Sequence, residues 1–395
     1  MAETLIAAER IVTASPAPHE SLPGGAAPEL SPGYVLVRDG YVAEVGRGQP
    51  PRAPDVRLAS GVLVPGLVDL QVNGYFGVEL DAAEPAGWRT VTSRLPETGT
   101  TAFVPTFITA PVPQLAEALR AAAGLVPGLP AGARVLGVHL EGPFISPRRA
   151  GAHNTDWITD PAADAVTELL DAGAGILRLV TLAPELPGAL DAIKRLDAAG
   201  VLVSVGHSDA TAAQVAAAVG AGARMVTHLF NAQRPMHHRE PGVTGQALAD
   251  ARLVSGLVAD FFHVVPPVCR IAFAAAPGRI CLVTDAAACA GMPPGRYVLG
   301  GRPIELPPGD GVPPVRADGT LAGSALRMDR AVANMVSAGL SLPDAVAAAT
   351  RIPAELIGRP ELGRIAPGVP ADLAWLDDDL RARATWVAGD LVYER

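Results

Sequence analysis

The chain has 395 residues, of which 49% are hydrophobic and 18% are charged, and its formal net charge is −9. A chain of this size can bury a large core, but its longest apolar runs are interrupted well before the ~20 residues that a membrane span requires. No run of Lys or Arg exceeds two residues, so the sequence excludes the basic patch of a typical nucleic-acid binder, and we expect neither a nucleic acid nor a membrane as partner.

The cysteines and the first residues indicate the compartment. Cys269, Cys281 and Cys289 are too few, and odd in number, for a disulfide framework. The chain begins Met-Ala-Glu-Thr-Leu, without the positive charge and apolar run that open a secretory signal. We therefore expect a cytoplasmic protein.

Short alternating strands are predicted at both ends of the chain, over residues 4–12 and 34–46 and again over 371–376 and 384–387. Residues 14–33 are rich in Pro, Gly, Ser and Glu and are predicted to form a surface loop. Because the ends of most domains lie close together, the two sets of strands are expected to pair. This predicts a small β-sandwich domain built from residues 1–62 and 359–395.

The middle of the chain alternates short apolar strands with helical stretches. Repeated eight times, this alternation predicts a parallel (β/α)₈ barrel of the TIM type over residues 63–358. The predicted strands cover residues 63–70, 101–107, 134–140, 176–182, 202–206, 225–229, 253–259 and 280–284. The predicted helices cover residues 113–124, 161–172, 188–199, 211–221, 325–338 and 343–357.

Side chains that can bind a metal or carry a proton follow six of the eight predicted strands, and the active site of such barrels lies at these carboxyl ends. Seven of the eight histidines fall between residues 139 and 263. The strand ends in question are Asp69-Leu-Gln71-Val-Asn73, His139-Leu-Glu141, Gly206-His207-Ser208, Thr227-His228, Asp260-Phe-Phe-His263 and Thr284-Asp285.

Each of these residues alone has a structural explanation, such as a satisfied core histidine or an Asp that caps a helix; Asp69 fits either support of a site or a local turn. Together, Glu141, His207, His228 and Asp285 at one barrel mouth would bury charge with little compensation unless they had a function. One carboxylate and two imidazoles, with a water in the open position, form a catalytic zinc site that lowers the pKa of the water to about 7. A nearby Asp can take the proton of this water and pass it to a leaving amine.

An ordered set of motifs resembles the N-acetylglucosamine-6-phosphate deacetylases of the amidohydrolase superfamily, over nearly the whole chain. Each motif is weak alone, but the ordered set is specific. The motifs are Val64-Pro-Gly-Leu-Val-Asp69, His139-Leu-Glu-Gly-Pro143, Gly151-Ala-His-Asn154, Gly206-His-Ser208, Thr227-His-Leu-Phe-Asn231, His238-Arg-Glu-Pro-Gly242, Leu282-Val-Thr-Asp285, Leu321-Ala-Gly-Ser324 and Ile365-Ala-Pro-Gly368.

The resemblance implies a role for several residues. Glu141, His207 and His228 match the metal ligands of the family. Asp285 matches the catalytic acid and base, and His153 matches the histidine that polarises the amide carbonyl.

The resemblance also implies substrate contacts. His263 matches a histidine that contacts the sugar hydroxyls, and Asn231, with the amide of Ala232, matches the phosphate-side loop. Arg239 matches an arginine that reaches the phosphate from the neighbouring subunit, which predicts a homodimer; the alternative is an ordinary solvated loop arginine, with His237 and His238 as spacers. Leu321 and Met328 resemble the flap that borders the acyl methyl.

The residues after strand one predict a single metal. Many superfamily relatives carry His-x-His there and bind two metals, whereas this chain has Gln71 and Asn73, whose neutral amides are poor ligands. Gln71 is expected instead to hydrogen-bond a metal-bound water. Other relatives bridge two metals with a carboxylated lysine, but Lys194, the sole lysine, lies in a predicted helix. We expect one divalent ion per subunit, Zn²⁺ first, with Fe²⁺ or another divalent metal as alternatives.

The sequence thus predicts a hydrolase that removes the acetyl group from N-acetyl-D-glucosamine 6-phosphate. The stretch 286–295, with Cys289, departs from the family pattern beside the site, so the sugar stays open; Cys289 is expected to be a stray thiol rather than a ligand. The alternatives are a deacetylase for N-acetylgalactosamine 6-phosphate or an unphosphorylated sugar, another amidohydrolase reaction, and a non-catalytic sugar-phosphate sensor.

Overall fold

Seven short strands open the computed structural model, which describes residues 3–14, 29–309 and 311–395. The fourth of them, Gly33–Arg38, alternates buried and more exposed side chains, as a strand of a one-sided sheet does. The predicted loop over 14–33 lies mostly outside the described residues, and its last part contains strands. The seven strands are β1 (Glu3–Ala8), β2 (Ile11–Val12), β3 (Glu29–Leu30), β4 (Gly33–Arg38), β5 (Tyr41–Arg47), β6 (Val56–Leu58) and β7 (Val62–Pro65).

Eight parallel strands then form the barrel and confirm the predicted fold class. Each pairs with the next along the chain. They are β8 (Leu67–Val72), β11 (Thr100–Ile108), β13 (Val138–Glu141), β14 (Leu177–Leu182), β15 (Leu202–Val205), β16 (Met225–Val226), β17 (Val254–Leu257) and β18 (Ile280–Leu282). A hairpin of β9 (Gly74–Tyr75) and β10 (Val78–Glu79) follows β8, and β12 (Arg134–Val135) pairs with β11.

Residues at and just beyond the ends of β8 and β18 close the barrel. Val72 forms a parallel bridge with Ala286. The backbone N–H of Asp285 donates to the carbonyl of Gln71 at 3.0 Å, and that of Asn73 donates to the carbonyl of Ala286 at 2.9 Å. This closure places the residues that follow the first strand directly beside those that follow the eighth.

Helices surround the barrel and bury their apolar faces against it. They are α1 (Pro85–Arg94), α2 (Val112–Leu125), α3 (Ala163–Ala172), α4 (Ala189–Ala198), α5 (Ala212–Ala221), α6 (Gly242–Ala249), α7 (Pro266–Ala275), α8 (Met328–Ser337), α9 (Leu342–Ala348) and α10 (Arg351–Leu356). Short 3₁₀ turns cover Leu95–Thr98, Val126–Gly128, Pro147–Arg149 and Thr155–Trp157. None of the helices within the described ranges is long and apolar enough to cross a bilayer.

The prediction of one helix over 343–357 was wrong, because the helix is interrupted between α9 and α10. Thr350 leaves the helical conformation with φ −137° and ψ −86°. In a continuous helix the ring of Pro353 would collide with the carbonyl of Ala349, four residues earlier. Proline also has no backbone N–H to donate to that carbonyl. The hydroxyl of Thr350 donates to the carbonyl of Val346 at 2.6 Å and so satisfies one of the last carbonyls of α9.

A hairpin of β19 (Gly295–Leu299) and β20 (Arg302–Leu306) and the segment up to Ser324 follow the eighth barrel strand. Buried side chains of this region pack with Ile108 at the end of β11. Arg302 donates to the Asn154 side chain at 2.6 Å, and Arg316 donates to the carbonyl of Ala152 at 3.3 Å. The hairpin region is thus tied to the loop that contains His153, and we call it the lid.

The last strands are β21 (Leu373–Leu376), β22 (Ala382–Val387) and β23 (Asp390–Glu394), and β21 joins them to the first 65 residues by pairing antiparallel with β7. One sheet has the order β23-β22-β21-β7-β2-β3, and a second has the order β5-β4-β1-β6. Ile6, Leu63 and Trp386 lie in the apolar core that these strands share, so the predicted β structure from both chain ends is confirmed. The division at residues 62/63 and 358/359 stays our proposal; β7 spans the first of these points and pairs within the small sheet.

Candidate metal centre and active site

Four of the predicted site residues stand at the carboxyl ends of barrel strands. Glu141 ends β13, His207 and His228 each lie two residues beyond a strand, and Asp285 lies three residues beyond β18. His207, His228 and Asp285 have positive φ angles of 44°, 27° and 52°, which costs of order 1–3 kcal/mol each and recurs at functional sites. The turn at His228 also explains why β16 ends before residue 229, its predicted end, because a residue with positive φ cannot continue a strand.

Glu141, His207 and His228 bring three ligand atoms together. Oε1 of Glu141 lies 3.0 Å from Nε2 of His228 and 3.3 Å from Nε2 of His207, and the two Nε2 atoms are 3.1 Å apart. Bonds of ~2.0–2.1 Å in a tetrahedral site place ligand atoms roughly 3.3 Å apart. Within the described residues these three form the group of His, Cys, Asp and Glu side chains close enough to hold a metal ion. The donor set and its spacing fit one divalent cation.

Hydrogen bonds orient the ring of His207. Its Nδ1 lies 2.8 Å from the backbone carbonyl of Arg149, which can only accept, so Nδ1 carries the proton and Nε2 presents its lone pair to the centre. Nδ1 of His228 is buried without a hydrogen-bond partner among the described residues. Burial raises the pKa of Glu141, but its close contacts with the imidazoles of His207 and His228 outweigh that effect and hold the pKa well below its usual range. The carboxylate is therefore ionised and available as a ligand.

Two side-chain amides hold the carboxylate of Asp285. Nδ2 of Asn73 donates to Oδ1 at 2.7 Å, and Nε2 of Gln71 donates to the same oxygen at 3.1 Å and to Oε1 of Glu141 at 3.1 Å. Burial, followed by the negative charge of Glu141, raises the pKa of Asp285 to about 6. A carboxyl group with this pKa can exchange a proton near neutral pH, as a general acid–base requires.

His153 lies against the same centre. Its Nε2 is 3.9 Å from Oε2 of Glu141, and its ring centroid is 4.3 Å from that of His207. Burial, and then the neighbouring His207, lowers the pKa of His153 to about 3. The ring is therefore a neutral hydrogen-bonding group. On its other side, Nδ1 contacts Thr109 at the end of β11.

A chain of buried hydroxyl groups supports the centre from inside the barrel. His139, two residues before Glu141, lies 3.1 Å from Oγ1 of Thr106 and 2.7 Å from Oγ1 of Thr181. Thr181 continues through Thr227 to Ser204, with oxygen–oxygen distances of 2.7 and 2.6 Å. These contacts join the strands that carry Glu141, His207 and His228, so each ligand starts from a fixed strand end.

Asp69 and Asp260 support the site without lining it. Asp69 accepts hydrogen bonds from the hydroxyl of Thr284 at 2.5 Å and from the backbone of Thr284 and Gln71 at 3.2 Å. Asp260 accepts from Nδ1 of His263 at 2.6 Å and from the backbone of His263 at 2.8 Å. The first contact positions the residue before Asp285. The second leaves Nε2 of His263 free to act as an acceptor.

One cavity of about 200 Å³ opens over the centre, between the barrel mouth and the lid. Asn73 lines it, and its buried Oδ1 has no hydrogen-bond partner among the described residues, which leaves an acceptor for a bound molecule. Nine predicted site residues line the cavity: Glu141, His153, His207, His228, Asn231, Ala232, His263, Asp285 and Leu321. It is also lined by residues to which the sequence assigned no role, Ile108, Gly151, Ala152, Leu299, Thr320 and Gly323.

The other predicted contacts lie elsewhere. Gln71 is buried directly behind Asp285 and Glu141. Met328 begins α8 and is buried in the barrel core, while its predicted companion Leu321 lines the cavity. Arg239 is exposed on the loop before α6, with Met236 60% exposed on the same loop. Arg239 does not line the cavity of its own chain.

The residues considered above as ligands of a second metal are not placed to bind one. Gln71 and Asn73 direct their amide N–H groups at carboxylates, the opposite of the lone pairs that a metal needs. Lys194 lies in α4, exposed, with Nζ 3.1 Å from Asp191. Cys289 is buried among apolar side chains of the lid region. It belongs to no metal-binding group within the described residues.

Sequence reasoning missed Thr109 and Thr181, and it noted Asp260 at a strand end without assigning it a role. Thr109 follows β11, and Thr181 lies near the end of β14. No polar ligand was predicted for these two strands, and a threonine hydroxyl gives no chemical signal by itself. Asp260 stands three residues before His263, a spacing typical of an Asp that accepts hydrogen bonds from a following turn. That spacing is the one sequence signal that could have identified it.

Comparison with known proteins agrees with this geometry. The amidohydrolase family model matches residues 62–392. The chain belongs to the amidohydrolase family. It is 40% identical over 349 residues to the N-acetylglucosamine-6-phosphate deacetylase of Bos taurus, a match that covers 84% of each chain. It is 36% identical over 360 residues to the N-acetylgalactosamine-6-phosphate deacetylase of Escherichia coli O157:H7, with 90% and 94% covered.

The fold is similar to that of a mutant N-acetyl-D-glucosamine-6-phosphate deacetylase from Mycobacterium smegmatis, solved in complex with N-acetyl-D-glucosamine 6-phosphate. The TM-score is 0.92 at 34% identity, and both chains are covered completely. The predicted resemblance to the N-acetylglucosamine-6-phosphate deacetylases within the amidohydrolases is thereby confirmed. Amidohydrolases are metal-dependent, in accord with the Glu–His–His group.

We predict that the purified protein binds one divalent metal ion tightly per chain, because the residues that the structure describes offer one group of three ligands. Elemental analysis of the protein after dialysis measures the ratio. A His207→Asn variant should lose most of the bound metal, whereas Asp191→Asn, at an exposed position, should retain it. Two tightly bound equivalents per chain would contradict the prediction.

Proposed function

We propose that this amidohydrolase cleaves the acetamide of N-acetyl-D-glucosamine 6-phosphate to give glucosamine 6-phosphate and acetate. The observation that carries the proposal is the position of Asp285 and His153. Both line one cavity together with Glu141, His207 and His228. An acid–base group, a hydrogen-bonding imidazole and a metal-binding group around one cavity suit the hydrolysis of an amide. The names of several relatives at 34–40% identity support this substrate.

We propose that Glu141, His207 and His228 hold one divalent ion, with Zn²⁺ first and Fe²⁺ or another divalent metal as alternatives. When bound, such an ion polarises a carbonyl oxygen and makes water more acidic. The protonation states of two side chains favour metal binding, because Glu141 is ionised and Nε2 of His207 presents its lone pair.

Asp285 then transfers the protons, and His153 stabilises the developing charge. Asp285, as the carboxylate, accepts a proton from the attacking water and delivers it to the departing nitrogen, so that acetate and a free amine result. His153 donates a hydrogen bond to the carbonyl oxygen as negative charge develops there. Gln71 and Asn73 hold the Asp285 carboxylate in place through Oδ1, which leaves Oδ2 for the proton.

We propose that the sugar phosphate lies with its acetyl group toward the metal centre. Nε2 of His263, left free by the Asp260 contact, suits a sugar hydroxyl. Asn231 and the backbone amide of Ala232 suit the phosphate side of the cavity. Leu321 gives the lid an apolar contact for the acyl methyl. These roles rest on the family resemblance and on the position of each residue at the cavity.

We also propose a homodimer in which Arg239 of each subunit reaches the phosphate in the cavity of the other. Arg239 is exposed and does not line its own cavity, which favours a role toward the phosphate bound by a second copy. The exposed Met236 on the same loop, and Phe262 and Val265 before α7, each about half exposed or more, offer apolar surface for such contact. A cytoplasmic location, supported by three unpaired buried cysteines, completes the proposal.

A galactosamine epimer is the second candidate, because one relative at 36% identity is an N-acetylgalactosamine-6-phosphate deacetylase. A non-catalytic sensor is disfavoured, since the three ligands, His153 and Asp285 are all present around the cavity. An acetate-release assay separates these candidates. We expect the fastest turnover on N-acetyl-D-glucosamine 6-phosphate and at least tenfold lower kcat/KM on the unphosphorylated sugar.

The panel contains N-acetylglucosamine, N-acetylgalactosamine and their 6-phosphates, each with and without added Zn²⁺. A higher kcat/KM for the galactosamine 6-phosphate would establish the second candidate instead. Stoichiometric binding of a sugar phosphate without acetate release, in metal-loaded protein, would identify a sensor.

The Asp285→Asn variant should keep its metal and lose kcat by several orders of magnitude, because an amide cannot accept the proton of water. In the unaltered enzyme, kcat/KM should fall as the pH falls through the pKa of Asp285, since the protonated carboxyl group cannot act as the base. That pKa is raised to about 6 by burial, and a bound cation favours the carboxylate, so the fall should occur at or below about pH 6. A near-normal kcat of the Asn variant would refute the assignment.

Subunit complementation tests whether Arg239 acts across a dimer. Two inactive variants, Arg239→Ala and Asp285→Asn, are co-expressed with different tags, and the mixed dimer is purified. If Arg239 acts across the interface, one of its two sites contains both residues, and about half of the normal kcat should return. If Arg239 acts within its own chain, or not at all on the phosphate, the mixed dimer gains no activity over its parents.

A further inference from the structure

We infer that Thr109 sets the tautomer of His153, so that the proton of the neutral ring lies on Nε2, which faces the cavity, and not on Nδ1. Thr109 is thus a positioning residue, and this role rests on the proposed deacetylation, in which His153 donates a hydrogen bond. Without such a constraint, a neutral histidine can carry its proton on either nitrogen. Only one of these forms can donate to a carbonyl oxygen in the cavity.

The backbone of Thr109 supplies the first constraint. Its N–H lies 3.3 Å from Nδ1 of His153, in hydrogen-bonding geometry. A backbone N–H can only donate, so this hydrogen bond forms only in the tautomer whose Nδ1 presents its lone pair. Thr109 is 1% exposed, and a buried N–H without an acceptor costs free energy comparable to a lost hydrogen bond. A proton on Nδ1 would point at this N–H and leave it unsatisfied.

The hydroxyl of Thr109 supplies the second constraint. Oγ1 lies 2.7 Å from Nδ1 of His153 and 3.3 Å from the backbone carbonyl of Glu141. Its single hydrogen therefore has two possible acceptors, and the nearer one is the imidazole nitrogen. When the hydroxyl donates to Nδ1, both groups of Thr109 favour the same tautomer.

The fold explains why Thr109 reaches this position. Ile108, at the end of β11, pairs with Glu141 at the end of β13, so Thr109 follows directly beside the metal ligand. Gly142 comes next on the other strand with φ 91°, and a Cβ atom there would collide with Oγ1 of Thr109. The glycine thus makes room for the hydroxyl. On the lid, Arg316 donates to the carbonyl of Ala152 and Arg302 donates to the side chain of Asn154. These two residues are the chain neighbours of His153.

Nuclear magnetic resonance reads the tautomer without an activity assay. The protein is labelled with ¹⁵N-histidine and loaded with Zn²⁺, and long-range ¹H–¹⁵N spectra are recorded; His153→Gln identifies the His153 signals. We expect the proton on Nε2 and an unprotonated Nδ1 in the unaltered protein. Thr109→Val retains the backbone N–H but lacks the hydroxyl, so both ¹⁵N shifts of His153 should move toward a mixture of tautomers. Thr109→Ser should match the unaltered protein. A proton on Nδ1 in the unaltered protein would overturn the inference.

Kinetics show whether the tautomer matters for turnover. The Val variant loses one hydrogen bond to a group that acts on the developing charge, so kcat should fall about threefold to tenfold with little change in KM. The Ser variant should stay within about twofold of the unaltered enzyme. In a His153→Gln background, Thr109→Val should cause no further loss, because Thr109 acts through His153. An equal additional loss in that background would show that Thr109 acts by another route and would overturn its positioning role.

Thr92→Val is the matched control, because Thr92 is a buried threonine of α1 whose hydroxyl donates to the carbonyl of Trp88 at 3.0 Å, away from the site. It should change neither the His153 signals nor kcat. Metal content is measured for every variant, since Oγ1 of Thr109 also approaches the backbone of Glu141. If no sugar of the panel releases acetate, the proposed function fails, while the spectra still decide the tautomer of His153.

Discussion

The site depends on one electrostatic constraint, the burial of the Glu141 carboxylate at the carboxyl end of β13. An ionised carboxylate removed from water costs several kcal/mol unless other groups compensate the charge. Here the imidazoles of His207 and His228 stand at 3.0–3.3 Å from it, and the amide of Gln71 donates to it. A divalent cation among these groups would complete the compensation, which is the physical reason that this arrangement favours metal binding.

The surrounding shell follows from that constraint. Each ligand or acid–base group must hold one orientation, and in a buried site only hydrogen bonds can impose it. The carbonyl of Arg149 orients His207, the amides of Gln71 and Asn73 orient Asp285, and Thr109 orients His153. Positive φ angles at His207, His228 and Asp285 have the same origin, because these side chains must turn inward directly after their strands. The large apolar core of the barrel supplies the stability that offsets this strain.

The lid links the cavity to the outer part of the molecule. Its side chains form an apolar cluster with Ile108, and its arginines bind on either side of His153. The apolar wall of the cavity and His153 therefore both contact the lid. A change of packing in the lid would be transmitted to His153 through these two hydrogen bonds, without any change in the barrel.

By itself, the sequence determined the barrel, the β structure of the two chain ends, and the residues that gather at the barrel mouth. Strand–helix alternation is a local pattern, and the parallel barrel brings all strand ends to one face, so the positions of Glu141, His207, His228 and Asp285 followed from their places after strands. Only the tertiary structure decided the break at Thr350, the contacts of Asp260 and Thr181, and the position of Thr109 against His153. These depend on distances between residues far apart in the chain, and a threonine or a backbone N–H has no sequence pattern that reports which imidazole it will meet.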